Sequence, residues 1–210
     1  MELFEAIEAA DADRVRALID SDPSAAAARN EAGLSAVLAA QYRHQHQIVE
    51  MLLGAAPTLD IFDAAAVGDC RRLAELLDED PSLVNAYAPD GFYPLGLASY
   101  FRQPEAVRLL LERGAEVHAV ARNPMKVQSL HAAVAGRNTE AVRLLLDAGA
   151  APDAQQHGGW TPLMAAAAHG DTENVDLLLR AGAEPSPDAV AQARDNGHDA
   201  LADRLESLSR

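Results

Sequence analysis

Two places in the sequence carry side chains whose types and spacing could do chemistry. His44 and His46, in the stretch QYRHQHQ, form an H-x-H pair that offers two nitrogen donors of the kind zinc takes. A closed zinc site needs four nitrogen or sulfur donors. Glu50 is the only close acidic helper, and a spacing of two puts the rings off a common helix face. The pair reads as turn residues that meet backbone carbonyls, and no metal is assigned. Cys70 falls at the start of a predicted helix, where a thiol pKa can be lowered; with no partner base in view it reads as filler. A phosphate-binding loop, GxSxG, HExxH and paired CxxC are all missing from the sequence. Most acids occupy helix or DxDP-turn positions that suit a solvated face, so no catalytic residue and no cofactor is assigned.

The elements that would position any site are short helices. In 210 residues, 49% are hydrophobic but only 4% aromatic, and abundant alanine suits backbones packed closely in an all-α fold better than a sandwich of β-branched residues. The formal charge of −15 disfavours a long contact with phosphates, so nucleic acid is not expected as a partner. The basic residues are Arg apart from Lys126, and a single cysteine fits a reducing compartment. The acidic start MELFEAIEAAD lacks the basic-then-apolar order of a signal peptide, and no apolar run reaches the length of a membrane span. A soluble cytoplasmic protein without membrane contact is the expectation.

Recurrence organises the chain. A V-x-x-L-L core or a near variant begins at Val15, Val49, Leu73, Val107, Val142, Val175 and, weakly, Ala202, at intervals of 34, 24, 34, 35, 33 and 27 residues. A longer echo returns FEAIEAADADRVRALIDSDPS (4–24) as FDAAAVGDCRRLAELLDEDPS (62–82), 58 residues on, and Gly33 as Gly91. Within TPLMAAAAHGDTENVDLLLRAGA (161–183), Thr161 and Pro162 suit a helix start and Gly170 suits a left-handed stop. Asp171 and Thr172 can cap a second helix, on which Val175, Leu178 and Leu179 form one apolar stripe. Ala166 and Ala167 allow close approach of the next unit.

Residues 161–183, with SLHAAVAGRNTEAVRLLLDAGA (129–150) and PLGLASYFRQPEAVRLLLERGA (94–115), resemble ankyrin repeats. The resemblance implies a single solenoid of seven helix-turn-helix units with short β-hairpin fingers between most of them. The approximate repeats are 1–33, 34–57, 58–91, 92–126, 127–159, 160–184 and 185–210, the first and last being caps. Fingers are expected near 30–34, 88–92, 123–127 and 156–160, the third being the longest. The joints GAAPTLDIF and GAEPSPDAV are expected to lack one. The family's histidine after Leu survives as His131 alone.

The resemblance further implies non-catalytic protein recognition on a concave face. Carried over, its helix positions are Tyr42 and Arg43, Ala66 and Val67, Tyr100 and Phe101, Ala135 and Gly136, Ala168 and His169. Its fingertip positions are Leu34, Phe92, Val127 and Trp160. The enrichment of rings there marks Tyr42, Phe92, Tyr100, Phe101 and Trp160 as candidate anchors, with Met125 beside them. Arg43, Arg102, Lys126 and His169 would select charge, and with Arg122 would make the groove locally positive in an acidic protein. The alternative is a packing role, with Phe92 and Trp160 resting on neighbouring fingers and Tyr100 and Phe101 filling the space above Gly96. The expected partner is a protein or peptide with apolar and acidic residues. The alternatives are self-association through the same patch, as a monomer or weak homodimer, and a small molecule in a notch near 57–61.

Overall fold

The computed structural model describes residues 2–209. Fourteen α-helices follow one another among them: α1 (Glu2–Glu8), α2 (Ala12–Ser21), α3 (Ala36–Tyr42), α4 (His46–Gly54), α5 (Ile61–Val67), α6 (Cys70–Glu79), α7 (Pro94–Tyr100), α8 (Pro104–Glu112), α9 (Ser129–Ala135), α10 (Thr139–Asp147), α11 (Pro162–Ala168), α12 (Thr172–Arg180), α13 (Pro187–Asp195) and α14 (Asp199–Leu208). Local chemistry sets their starts. Ser35, Asp60, Thr161 and Ser186 accept backbone N–H groups at the heads of α3, α5, α11 and α13, and proline occupies the first turn of α7, α8, α11 and α13, where its missing N–H costs nothing.

Each odd-numbered helix packs on the even-numbered helix that follows, and the odd helices stack on one another to form an inner row. One hydrogen bond closes every turn within a pair. The residue after the turn donates its backbone N–H to an alanine carbonyl five residues back: Asp11 to Ala6, Gln45 to Ala40, Asp69 to Ala64, Gln103 to Ala98, Asn138 to Ala133, Asp171 to Ala166 and His198 to Ala193. All seven of those alanines are fully buried, because only a methyl group fits where the inner helices lie against each other. On the outer row, Val107 and Leu110, Val142 and Leu145, and Val175 and Leu178 carry the apolar stripe into the same continuous core.

No strand forms among the described residues, so the expected β-hairpins are corrected to turns. Across the base of each runs one backbone bond, Asn30 N–H to Leu34 O at 2.9 Å, Ala88 to Phe92 at 2.8 Å, Ala121 to Val127 at 2.9 Å and Gln156 to Trp160 at 3.0 Å, with a second bond inside the turn, such as Gly33 N–H to Asn30 O at 2.8 Å and Gly91 to Ala88 at 2.9 Å. Isolated bridges at Arg29–Ser35 and Val120–Gln128 are the extent of the ladder; arms this short cannot propagate one. At the joint 55–60, Leu59 turns into the core and Arg72 Nε donates to its carbonyl at 3.1 Å. The last helix pair is well packed: Leu205 on α14 is fully buried.

Candidate functional site

The inner row and the turns preceding it enclose a cavity of about 430 Å³. Its floor comes from the inner helices: Leu97 and Tyr100 on α7, His131, Ala132 and Ala135 on α9, and Ala165, Ala168 and His169 at the end of α11. Its finger wall is Phe92, Met125, Val127, Gln156 and Trp160, and Tyr42 closes the α3 end. The alanines make the floor low and the aromatic rings make the walls high, which leaves a well lined almost entirely by carbon.

The walls are tied down by polar contacts. Tyr42 OH donates to Asp90 Oδ2 at 2.7 Å, and the Tyr42 ring tilts against Phe92 and Phe101 at centroid distances of 6.1 and 5.6 Å. Burial, with the Asp90 carboxylate beside it, pushes the Tyr42 hydroxyl far above its ordinary pKa. The turn bearing Asp90 is fastened to the next one: Asn123 Nδ2 donates to Asp90 O at 3.3 Å and Arg122 N–H to Gly91 O at 2.8 Å. His131, 3% exposed, donates Nε2–H to Trp160 O at 3.2 Å and so fixes the far finger on α9; burial pushes its pKa down, leaving the ring neutral. His169 Nδ1 is buried without a hydrogen-bond partner among the described residues.

Of the candidate residues, Tyr42, Phe92, Tyr100, Met125, Trp160 and His169 meet at this cavity. Phe101 stands behind it, edge-on to Tyr100 at 5.1 Å. Lys126 is exposed between the lining residues Met125 and Val127 and Arg102 is exposed two residues beyond Tyr100, whereas Arg43 pairs with Glu8 at 3.5 Å and Arg122 stacks on the Tyr87 ring at 3.8 Å. Two side chains are placed differently from expectation. Ala66, expected on the concave face, is fully buried, with its carbonyl accepting from Gln41 and Gln103. The space above Gly96 is filled by Tyr93, whose ring atom Cζ lies 3.3 Å from where a Cβ would stand. Tyr93 OH donates to Ala119 O at 2.7 Å and accepts from Ser129 Oγ at 3.1 Å. Sequence reasoning missed Tyr93 as a wall residue; its position directly before Pro94, where Thr161 stands before Pro162, was the signal.

None of the residues at the two chemistry-bearing places of the sequence lines the cavity. His44 sits in the turn before α4 with its ring 6.1 Å from that of Tyr100, and His46 is the first residue of α4. Among the described residues no three His, Cys, Asp or Glu side chains come together to hold a metal ion. The Cys70 thiol is pushed up, not down, because burial and the Glu105 and Asp69 carboxylates outweigh the helix start. No helix of the described residues is long and apolar enough to cross a membrane.

A family model described as ankyrin repeats, three copies long, matches residues 61–156 and again 121–189. The human "DNA-binding protein RFXANK" is 33% identical over 114 residues, which is 53% of this chain and 44% of that protein. The rat "Ankyrin repeat and SAM domain-containing protein 6" is 41% identical over 59 residues, 28% of this chain and 7% of that protein. The chain thus spans less than half the length of either relative.

Proposed function

The chain belongs to the ankyrin repeat family, whose repeats generally mediate protein–protein contact, and on that footing we propose that it is a non-catalytic recognition module of seven repeats. Its concave face would receive a segment of a partner protein that presents apolar and acidic residues. The observation that carries this reading is the cavity, where Tyr42, Phe92, Tyr100 and Trp160 converge on one well of about 430 Å³. Rings held before a partner arrives, Tyr42 by its bond to Asp90, Trp160 through its backbone and Phe92 and Tyr100 by neighbouring rings, lose little entropy on binding, and aromatic side chains around a desolvated centre are where binding energy concentrates. Met125, 51% exposed at the finger edge, is apolar surface that a partner would cover. The reading assigns no nucleic-acid contact, whatever the human relative's name says of that protein, because a net charge of −15 opposes phosphate.

Affinity capture with the intact chain tests it, using Tyr100→Ala, Trp160→Ala and, on exposed outer surface, Asp147→Ala. A specific partner should be retained by the parent and by Asp147→Ala. Titration calorimetry with that partner should show each ring variant losing at least about 1–2 kcal/mol of binding. Loss on Asp147→Ala with normal binding by the ring variants would place the interface elsewhere. Light scattering separates this from a homodimer built on the same patch.

A further inference from the structure

Among the described residues six non-glycine positions adopt positive φ: Ala10 (53°), His44 (55°), Ala56 (51°), Arg102 (63°), Lys126 (52°) and Arg137 (53°). In the turn between paired helices, the position held by Arg102 and Arg137 is held by Ala10 and His44 in the first two pairs and by glycine at Gly68, Gly170 and Gly197. Glycine adopts this conformation freely, while any L side chain there costs roughly 1–2 kcal/mol. Arginine at two neighbouring turns therefore runs against local stability, and strain of this kind gathers at functional positions. Both side chains are exposed, and neither has an ion pair among the described residues. That is notable in a protein with 32 acids to 17 bases, where arginines on the outer helices are taken up in pairs such as Arg108–Glu140 and Arg143–Glu140.

Their place in the fold gives these cations a direction. Arg102 lies two residues beyond Tyr100, and Arg137 two beyond Ala135, both of which line the cavity. The two turns are adjacent: a Cβ on Gly136 would run into the Tyr100 carbonyl. Lys126 stands on the finger side, between the lining residues Met125 and Val127. The apolar well thus has unpaired cations along two edges. From α7 to α11 the groove crosses two helix steps, about 16–20 Å at the usual 8–10 Å spacing, which is the reach of about five or six extended residues at roughly 3.3 Å each.

We infer that the groove takes an extended acidic peptide segment, whose bulky apolar side chain fills the cavity while carboxylates two or three residues apart meet Arg102 and Arg137. The inference rests on the recognition reading above and adds to it the extended conformation of the segment, the arginines that meet its acids and the spacing of those acids. One helix step between the two arginines, about 8–10 Å, is met by carboxylates two or three residues apart on an extended strand, about 6.6–9.9 Å, once the long arginine side chains take up the difference. Charge complementarity favours this occupant over a neutral or basic segment, since a basic one would place like charge against three unpaired cations.

Selection from a random twelve-residue peptide library displayed on phage, against the intact immobilised chain, tests both levels. The expected result is enrichment of peptides with one large apolar residue and at least two Asp or Glu at near-alternating positions. Selection on Arg102→Gly/Arg137→Gly, which keeps the backbone conformation, and on Arg102→Glu/Arg137→Glu should retain the apolar residue and lose the acids. The best peptide should bind the charge-reversed chain at least tenfold more weakly by fluorescence anisotropy. If the parent and the variants select the same peptides, or if enriched peptides are apolar without acids, the acidic-segment inference falls and the groove reading stands. If no apolar residue is enriched, or if Trp160→Ala binds the selected peptides normally, the groove reading itself falls.

Discussion

Residues 12–54 and 70–112 are two copies of one backbone that have diverged in what they offer a neighbour. Shifted by 58 residues, α2, α3 and α4 coincide in their bounds with α6, α7 and α8, as do the short 3₁₀ turns Pro23–Ala27 and Pro81–Asn85. Even the caps repeat: Asp22 and Asp80 each accept from the serine two residues on. The contents differ where it counts. The first copy has Ser35 and Leu38 where the second has Tyr93 and Gly96, so bulk has moved from the helix to the residue before it. The first copy is followed by the short joint at 55–60 and by α5; the second is followed by the longest finger and by α9. The second copy supplies Phe92, Tyr93, Gly96, Leu97 and Tyr100 to the cavity because a finger and a floor of alanines stand opposite it, whereas the first copy reaches it through Tyr42 alone.

The equivalence of the two backbones can be broken most forcefully in their cores. Leu52 and Leu110 are counterparts and both fully buried, so Leu52→Ala and Leu110→Ala should each cost about 2–5 kcal/mol in urea melts; a large difference between them would mean that the copies are not packed alike. The exchange of bulk comes next. Gly96→Leu should cost about 1–3 kcal/mol by overpacking against the Tyr93 ring, and Tyr93→Ser in the same chain should return part of it by restoring the first copy's pair, as a positive coupling in a double-mutant cycle. A smaller effect lies in the turns. Arg102→Gly should raise stability by up to about 1 kcal/mol, the relief of strain being partly offset by the freer unfolded chain, while Gly68→Ala should lower it, since a Cβ there meets the Gln103 side chain.

The smallest effect is in pH, and the two halves should respond with opposite signs. Asp63, buried against Ser35 Oγ–H, has its pKa raised to about 6 by burial and by Asp60. The folded state holds that proton more tightly than the unfolded chain does, so the stability it contributes is full below about 3.9 and is lost as pH rises through about 6. Acidification from pH 7 to 5 thus favours this joint. His131 works the other way: burial lowers its pKa, the unfolded chain takes the proton more readily, and stability falls as pH drops below roughly 6.5. Thermal melts at both pH values should show the gain vanish in Asp63→Asn and the loss vanish in His131→Gln.

The repeat grammar was legible because it is local. Spacing of V-x-x-L-L, capping residues and turn glycines placed the helices, and the four fingers fell at the expected residues, although too short to form strands. Six of the ten candidate contact residues meet at the cavity because their register follows from the same grammar. What was not legible depended on partners from other units. Arg43 and Arg122 are occupied by Glu8 and Tyr87, and no spacing announces that. Ala66, one of the positions expected on the concave face, is instead fully buried, its carbonyl taken by Gln41 and Gln103 from the flanking units. Tyr93 could be read as a buried wall only with the Ala119 carbonyl, 26 residues away, already in position. Arg102 and Arg137 gave no sign of their left-handed backbone, since arginine does not ordinarily mark one.

The bond from Tyr42 to Asp90 has a consequence for the order in which the molecule assembles. It spans 48 residues, the widest separation among the described side-chain hydrogen bonds, and α5 and α6 lie in the loop it closes. Elsewhere contacts join one unit to the next, which keeps contact order low and favours fast local folding. Bringing Tyr42 to Asp90 before the intervening helices are stacked would carry the entropy of closing that whole loop; afterwards the two groups are already neighbours. Removing the hydroxyl in Tyr42→Phe should therefore leave the refolding rate nearly unchanged and speed unfolding, the kinetic mark of a contact made late.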